Sequence, residues 1–365
     1  MLDAYFTPVP DELLAQEFTH KNTLGGHLHI YNKSFPKITK AQIALIGVGE
    51  QAHKIRKELY PLYWRFQNLH IVDLGNFAEP ENAQQRNFAV SEAIGELLAL
   101  NISVVILSDA KSHLQSHFHG FRDTKKPLEV ALVSHAISLE PGSDCYDLLQ
   151  NKEQSAHLSN IDFIGTQAYY ISEETHQQLE RFNFENYRLG KIRSQIEETE
   201  PVLRSSDMMF FDMNSIRFAD APDTLLQSPN GLYAEESAQI ARYAGLSNML
   251  RTATFFGLSD ARTNRASDIL LAQLVWYFIE GFSSRYNDHP EKNDSNYLIY
   301  RNRLDNTGHE ITFYKSRKSD RWWMEVPHPY EDQTFFIGCS YKDYQQVCDG
   351  EMPDRWWRAY QRYLK

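Results

Sequence analysis

The chain has 365 residues, of which 42% are hydrophobic and 23% charged, and its formal net charge at pH 7 is −11. This composition supplies enough apolar residues for a large core and is not typical of a disordered protein. The acidic balance disfavours binding to nucleic acid or to an anionic membrane, because both require an excess of lysine and arginine. Three cysteines without a CxxC pair, and an N-terminus unlike a secretion signal, predict a cytoplasmic protein.

Short apolar runs alternate with helix-like stretches through most of the chain. They predict strands at residues 42–46, 70–73, 103–107, 129–133, 160–164, 208–212 and 252–256. Helices are predicted at residues 52–66, 87–100, 173–181, 235–243 and 269–282. This alternation predicts an α/β fold of three layers, α/β/α, with a mostly parallel sheet in the middle. In such sheets ligands bind beyond the carboxyl ends of the strands, so we expect the functional residues there.

The composition changes near residue 287. The last 79 residues contain 15 of the 47 aromatic residues, and the sequence Asp-Arg-Trp-Trp occurs there twice, at residues 320–323 and 354–357. One interpretation is that these aromatic residues anchor a C-terminal extension onto the α/β core, which makes the extension integral to folding. The other is an interface with a partner or a second copy. We therefore divide the chain into an N-terminal segment packed on the core (1–34), an α/β domain (35–286) and a Trp-rich extension (287–365).

One glycine-rich turn suggests a nucleotide site. Gly47 and Gly49 precede Ala52 in a G-x-G-x-x-A pattern after the first long predicted strand, and Asp73 ends the next strand. In dinucleotide-binding proteins such glycines approach a pyrophosphate and the acid binds a ribose. Glu50 would repel a phosphate, and the same pattern is typical of an ordinary turn between a strand and a helix.

Two groups of histidines could begin a metal site. His113 and His117 are four residues apart, as on one face of a helix, with His119 close in sequence. His27 and His29 would share one face of a strand. Each group needs a third ligand from elsewhere in the chain. Surface histidines, or buried histidines with hydrogen-bond partners, are the alternative interpretation.

The segments at the strand ends resemble, in order, the motifs of the ureohydrolase superfamily, which includes arginases, agmatinases and formimidoylglutamases. The chain is most similar to a bacterial subgroup of formimidoylglutamases. The matching segments are residues 71–76 (IVDLGN), 107–111 (LSDAK), 134–138 (SHAIS), 210–214 (FFDMN) and 230–236 (NGLYAEE), and residues 52–56 (AHKIR) are similar to an early helix of the family. The resemblance implies an arginase-like fold, a homo-oligomer, and hydrolysis of C–N bonds in linear amidines by two manganese ions.

The resemblance also implies that most metal ligands are missing. The family uses a histidine, then Asp, His and Asp, then two aspartates; the matching positions here are Ala110, Ser134, Ala136, Ser138, Asp212 and Asn214. Only Asp212 is charged, whereas two divalent cations need several carboxylates and imidazoles. We therefore expect no metal or other cofactor, and a binding or regulatory pseudo-enzyme whose vestigial pocket for a small molecule also includes Asp109, His135 and Glu236.

Two alternatives remain open. The chain could be an active hydrolase of linear amidines with a rearranged manganese site, in which Asp109, His135 and Asp212 are the ligands. The resemblance then makes Glu236 the partner of the substrate ammonium group. The second alternative is a nucleotide-binding protein that uses the turn from Gly47 to Ala52.

Overall fold

All seven predicted strands are present in the computed structural model, which describes residues 2–78, 82–108, 113–124, 126–259, 261, 264–290, 295–304, 309–328 and 334–364. In chain order the strands are Phe6–Thr7 (β1), His29–Ile30 (β2), Ile43–Gly47 (β3), Ile71–Phe77 (β4), Ser103–Leu107 (β5), Leu128–Val133 (β6), Leu158–Thr166 (β7), Glu185–Arg188 (β8), Met208–Asp212 (β9), Thr252–Phe256 (β10), Tyr297–Arg303 (β11), Glu310–Ser316 (β12), Trp322–Pro327 (β13) and Thr334–Cys339 (β14).

The predicted helices are present too. The α-helices are Ala52–Leu59 (α1), Ala83–Ala99 (α2), Leu114–Gly120 (α3), Asp144–Gln150 (α4), Lys152–His157 (α5), Glu173–Phe182 (α6), Leu189–Ser194 (α7), Thr199–Ser205 (α8), Ala234–Leu246 (α9), Ala266–Ser283 (α10), Tyr341–Cys348 (α11) and Asp354–Tyr363 (α12). Short 3-10 helices lie at Leu2–Tyr5, Asp11–Leu14, Ala168–Tyr170, Ile196–Glu198 and Met213–Ser215. No helix in the described ranges combines the length and the apolar character needed to cross a bilayer.

The large sheet has the strand order β1-β4-β3-β5-β10-β9-β6-β7-β8, and β2 also pairs with β4. Along this order the pairs are parallel except for the antiparallel pair of β1 and β4. The predicted mostly parallel sheet is therefore confirmed. The N-terminal segment does more than pack on the core, because it adds β1 and β2 to the edge of the sheet beside β4.

Each face of this sheet has its own apolar core, as three layers require. Alternate residues of β3 illustrate the division: Ile43 and Leu45 pack with α1, α9 and α10, while Ala44 and Ile46 pack with α2 and α3 on the other face. Because both faces are covered, the strands are apolar at consecutive positions rather than at alternate ones.

The predicted helix at 52–66 is too long. The structure ends α1 at Leu59, followed by Tyr60 and Pro61. Tyr60 still has a helical backbone, and its N–H donates to the carbonyl oxygen of Arg56 at 2.9 Å. Pro61 has no backbone N–H to continue this series of hydrogen bonds, so the helix ends before it.

The extension forms a second, antiparallel sheet with the order β11-β12-β13-β14, which the sequence analysis did not predict. It has a core of its own, in which Trp322, Phe313 and Met324 of this sheet pack against Trp356 of α12. The indole Nε1 of Trp356 donates a hydrogen bond to the carbonyl oxygen of Glu325 at 2.7 Å. The aromatic residues thus serve first to hold the extension together.

The interpretation that the aromatic residues anchor the extension onto the α/β core fits Trp323 of the first Trp pair and does not fit Trp356 of the second. The guanidinium carbon of Arg204, on α8, lies 4.3 Å from the centre of the Trp323 ring. Trp356 faces the extension's own core, and Trp357 is 43% exposed. Arginine attaches α12 instead: Arg358 donates to the carbonyl oxygen of Phe184 at 3.1 Å. An arginine side chain has several N–H donors for backbone oxygens, whereas a tryptophan side chain has one.

The arginines of both Asp-Arg-Trp-Trp copies reach the same short stretch of the α/β part. Arg321 lies 3.1 Å from Glu200, and Arg355 lies 3.4 Å from Glu198. The backbone of β14 also approaches α8 closely, since a Cβ atom on Gly338 would lie 2.8 Å from the carbonyl oxygen of Pro201. A glycine is therefore required where the two parts meet.

Candidate functional site

A cavity of about 550 Å³ lies at the carboxyl edge of the large sheet, beyond β6, β9 and β10. Ser134, Ala136, Ser138 and Asp212, four of the residues that the sequence analysis nominated, line it together. The chain folds this way because β6 and β9 are neighbours, so that the residues after Val133 meet the end of β9. The cavity is of the size typical of small-molecule sites.

Asp212 is the nominated residue in the cavity that carries a charge. Its Oδ1 atom accepts two hydrogen bonds from Asn214, from the backbone nitrogen at 2.9 Å and from Nδ2 at 2.7 Å. Gly257 follows β10 with φ +94°, and a Cβ there would lie 2.2 Å from the same oxygen. Oδ1 is thus enclosed by the protein, and Oδ2 is the carboxylate oxygen that remains for other partners.

Asn214 has a structural role that depends on its amide. Besides its bond to Asp212, Nδ2 donates to the carbonyl oxygen of Gly257 at 3.3 Å, and Oδ1 accepts from the backbone nitrogen of Leu226 at 2.8 Å. An aspartate at this position could not donate and would place a second carboxylate against Asp212. The amide therefore fits a site in which one carboxylate is present.

His135 lies beside Asp212 but outside the set of residues that line the cavity. Its Nδ1 atom is 3.6 Å from Oδ2 of Asp212, and its ring packs edge-on against Tyr170 with 5.3 Å between ring centres. Ser134 and Ala136, its neighbours in sequence, point into the cavity. This agrees with the alternation expected for an extended chain.

Glu236 is not among the residues that line the cavity. Glu236 caps α9, where its Oε2 accepts from the backbone nitrogen of Tyr233 at 2.8 Å, and it lies 3.6 Å from Arg193. Asp109 and Ala110 lie outside the described residues.

The lining also contains three residues that the sequence did not point to, Arg86 and Asn87 of α2 and Asp144 at the start of α4, together with His113 before α3, which was predicted only as part of a histidine group. Helix starts bring these side chains to the cavity, and the Ser-Asp pair formed by Ser143 and Asp144 is a helix-start signal that the sequence offers. With Arg86, Asp144 and Asp212, the lining combines charges of both signs.

The first histidine group has a hydrogen-bond partner and solvent around it rather than further metal ligands from the described residues. His117 is fully buried, its Nε2 atom is 3.0 Å from the hydroxyl of Thr254, and burial together with His113 lowers its pKa to about 3. It is therefore neutral at physiological pH. His119 is exposed, and in the described part of the chain no three His, Cys, Asp or Glu side chains are grouped as metal ligands.

The two histidines of the second pair have different surroundings. His27 stacks on the ring of Trp64 with 4.6 Å between ring centres, and its Nε2 atom contacts the carbonyl oxygen of Lys21 at 2.8 Å. His29 is exposed on β2.

The glycine turn at residues 47–52 is filled by a buried ionic network. Arg56 donates two hydrogen bonds to Asp73, at 2.8 and 2.9 Å, and a third to Asn76 at 2.6 Å. Tyr60 donates to the same carboxylate at 2.7 Å. A Cβ on Gly47 would lie 2.0 Å from Oδ1 of Asn76, so the glycine is needed for this network. Asp73, which the nucleotide interpretation assigns to a ribose, is completely buried and has these partners instead.

Among the described residues, the side chains at the nominated metal-ligand positions of the cavity do not fit a pair of manganese ions. Ser134, Ala136 and Ser138 carry no charge, and one oxygen of Asp212 already accepts two hydrogen bonds. Manganese prefers several carboxylates and imidazoles, which replace its hydration shell. Among the described residues, Asp212 and His135 are the nominated pair with metal-binding chemistry at this edge.

No protein-family model and no curated protein matches the sequence. Solved structures do match the fold. A formiminoglutamase from Trypanosoma cruzi, determined with Mn²⁺, has a TM-score of 0.62 and 15% identity over 68% of this chain and 96% of that chain. Formimidoylglutamase from Bacillus subtilis gives 0.59 and 15% over 70% and 94%, and agmatine ureohydrolase of Thermoplasma volcanium gives 0.54 and 16% over 67% and 91%. The large α/β part of this chain therefore has the fold of these enzymes.

Proposed function

We propose that this protein binds a small molecule with an N–H donor group, such as an amidine or a guanidine, and no longer hydrolyses it with two manganese ions. The observation that carries the proposal is the lining of the cavity at the carboxyl edge. Three of the positions that the ureohydrolase resemblance assigns to metal ligands, occupied by Ser134, Ala136 and Ser138, lie in that cavity next to Asp212.

The ligand class follows from the acceptors that this lining offers. Oδ2 of Asp212 and the hydroxyls of Ser134 and Ser138 accept hydrogen bonds from N–H groups, and Asp144 adds a second carboxylate. A charge-assisted hydrogen bond to a carboxylate is about twice as strong as a neutral one, so Asp212 supplies most of the specificity. The neighbouring Arg86 suits a ligand that also carries an acidic group.

A hydrolase with a rearranged single-metal site is the second candidate. It is supported by the distance of 3.6 Å between Nδ1 of His135 and Oδ2 of Asp212, since these are two of the three ligands that it requires. In that case binding and reaction both depend on added manganese.

Binding of agmatine and of arginine in the presence of EDTA tests the proposal, with isothermal titration calorimetry as the measurement. We expect both probes to bind the wild-type chain without metal, and Asp212→Asn to weaken binding at least about tenfold, as loss of a hydrogen bond to a charged group implies. Asp349→Asn is the matched control, because Asp349 is exposed on the extension. Binding that appears only with manganese, or urea released from either probe, would contradict the proposal and favour the hydrolase.

A further inference from the structure

A second cavity lies at the opposite edge of the large sheet, where the α/β part meets the extension. Its volume is about 320 Å³. Residues that precede or begin β6, β9 and β10 form one side, and residues at the start of β13 and β14 form the other. It is therefore separate from the cavity at the carboxyl ends of the same strands. Boundaries between structural units are common places for ligand sites.

Arg204 is a buried cation with unused donors in the wall of this second cavity. The residue is 5% exposed, its Nη2 atom donates to the carbonyl oxygen of Cys339 at 3.1 Å, and the guanidinium plane lies over Trp323. Its Nε and Nη1 atoms are buried and have no hydrogen-bond acceptor. Leaving such donors unsatisfied is costly, so an acceptor in the cavity is favoured.

A second guanidinium faces the same space. The side chain of Arg321 is 10% exposed, and its Nη1 atom also lacks an acceptor with hydrogen-bond geometry, although it lies 3.5 Å from Oδ1 of Asp288. Glu200 is shared by the two arginines, 3.1 Å from Arg321 and 3.3 Å from Arg204. Burial lowers the pKa of Arg204, and the charge of Arg321 contributes to this shift. Glu200 and Asp288 are thus the acids close to the two arginines, and they leave three buried guanidinium nitrogens without a hydrogen-bond acceptor.

The other charged groups of the lining limit how much negative charge an occupant can carry. Lys126 is already paired with Asp207 at 2.6 Å, and Glu129 and Asp288 add further acids. A monoanion is therefore favoured over a dianion. The remaining wall is apolar and aromatic, with Met249, Phe335, Phe336, Ile337 and the ring of Trp323.

We propose that this second cavity binds a small monocarboxylate with an apolar or aromatic body. The carboxylate accepts hydrogen bonds from Nη1 of Arg204 and Nη1 of Arg321, and the body packs against Phe336 and its apolar neighbours. The hydroxyl of Thr334, buried in the same lining without a hydrogen-bond partner, is a further donor to the carboxylate. The extension thereby adds a ligand site that the α/β part alone does not have.

Titration of the full chain with 3-phenylpropionate tests this proposal, with the neutral 3-phenylpropionamide as the matched probe. Binding is measured by calorimetry and located by the shift of the Trp323 indole signal in ¹⁵N-labelled protein. We expect the acid to bind and to shift this signal, and the amide to bind at least about tenfold more weakly, because it lacks the charge that the arginines require. Equal binding of acid and amide would overturn the proposal, as would no binding of the acid.

Substitutions in the lining of the second cavity test whether the acid binds there. Arg204→Gln is expected to weaken binding of the acid about tenfold, whereas Arg317→Gln, which changes an exposed arginine outside the lining, leaves it unchanged. If Arg204→Gln does not fold, Thr334→Val serves instead, since it removes one donor at constant shape and should cost a few fold. Asp212→Asn must leave this binding intact. Unchanged affinity in both cavity variants, or inorganic phosphate binding more tightly than the acid, would contradict the assignment of a monocarboxylate.

Discussion

Acidic residues lie together at the edge of the large sheet that faces α12. Asp162 of β7 is 5% exposed and lies opposite Glu185 of β8. Burial, and then the charge of Glu185, raise its pKa to about 8, although Arg362 of α12 acts in the opposite direction. The positive charge of Arg362 thus lies near a part of the sheet where burial disfavours the charged form of a carboxyl group.

Asp162→Asn is predicted to stabilise the protein more at pH 8 than at pH 4. The pKa in the folded state lies above the ordinary aspartate value of 3.8, so from about pH 4 to about pH 8 the folded chain holds a proton that the unfolded chain releases. Stability therefore falls as pH rises through this window. Asparagine does not titrate, and we expect a relative gain of about 1–3 kcal/mol at pH 8. Urea unfolding at both pH values measures it.

Asp349→Asn, at an exposed position, is the control and should show no such difference. A gain for Asp162→Asn that is the same at pH 4 and at pH 8 would show that the carboxyl does not have a raised pKa.

At the residue scale, the sequence could predict that some of the nominated residues lie together, while their role as a site stays a prediction. The pattern of the strand ends placed Ser134, Ala136, Ser138 and Asp212 at one edge, where they line one cavity. The role of Asn214 depends on the carbonyl of Gly257, 43 residues later, and this contact leaves no local pattern. The buried pair of Arg56 and Asp73 was missed for the same reason, since Asp73 matched the acid of a nucleotide motif equally well.

At the scale of elements, the two tryptophans of α12 differ in what they contact. Trp356 is 2% exposed and packs against β13 and the stacked ring of Tyr360, 5.2 Å away, while Trp357 on the adjacent face is 43% exposed. Neighbours in a helix point about 100° apart, so one can be buried while the other faces solvent.

Trp356→Ala is therefore predicted to destabilise the chain by about 3–5 kcal/mol, the usual cost of removing a large buried aromatic side chain. Trp357→Ala is the matched control in the same helix, and we expect it to change stability by less than about 1 kcal/mol. Thermal and urea unfolding of both variants measure the difference. Equal losses in the two variants would contradict the packing described for α12.

The α/β part was easier to predict than the extension, because the strands of its sheet are covered by helices on both faces. Ser103–Leu107, Met208–Asp212 and Thr252–Phe256 are short continuous apolar runs, and the predicted bounds agree with the observed ones. In β11, by contrast, residues 298–303 are partly or fully exposed, and the run ends in Arg301, Asn302 and Arg303. Such a strand has no apolar run to identify it. The abundant aromatic residues instead favoured the interpretation that they anchor the extension onto the α/β core.

At the scale of the whole molecule, the extension is attached through polar contacts around α8 and α12 as much as through apolar packing. Gly338 and Cys339 of β14 contact Ser205 and Arg204 of α8. Nη1 of Arg362, on α12, donates a hydrogen bond to Oδ1 of Asn160 in β7. Removal of the extension would expose these buried groups together.

Truncation after Phe282 is accordingly predicted to give insoluble protein, because it uncovers α8 and leaves Asp162 without the opposing charge of Arg362. Solubility and size-exclusion chromatography of the truncated chain measure the outcome. The control is the full chain carrying Trp357→Ala, which should remain soluble. A soluble and thermally unchanged truncated chain would assign the extension to partner binding instead.

The central claim is that the cavity around Asp212 functions without a pair of manganese ions. Its most direct test is the manganese content, by inductively coupled plasma mass spectrometry, of the full chain purified from cells grown with added manganese. The matched variant carries Ala110→His, Ser134→Asp, Ala136→His, Ser138→Asp and Asn214→Asp, and it is expected to gain manganese if the fold is kept. We predict a manganese content far below one ion per wild-type chain. Two ions per wild-type chain would contradict the account.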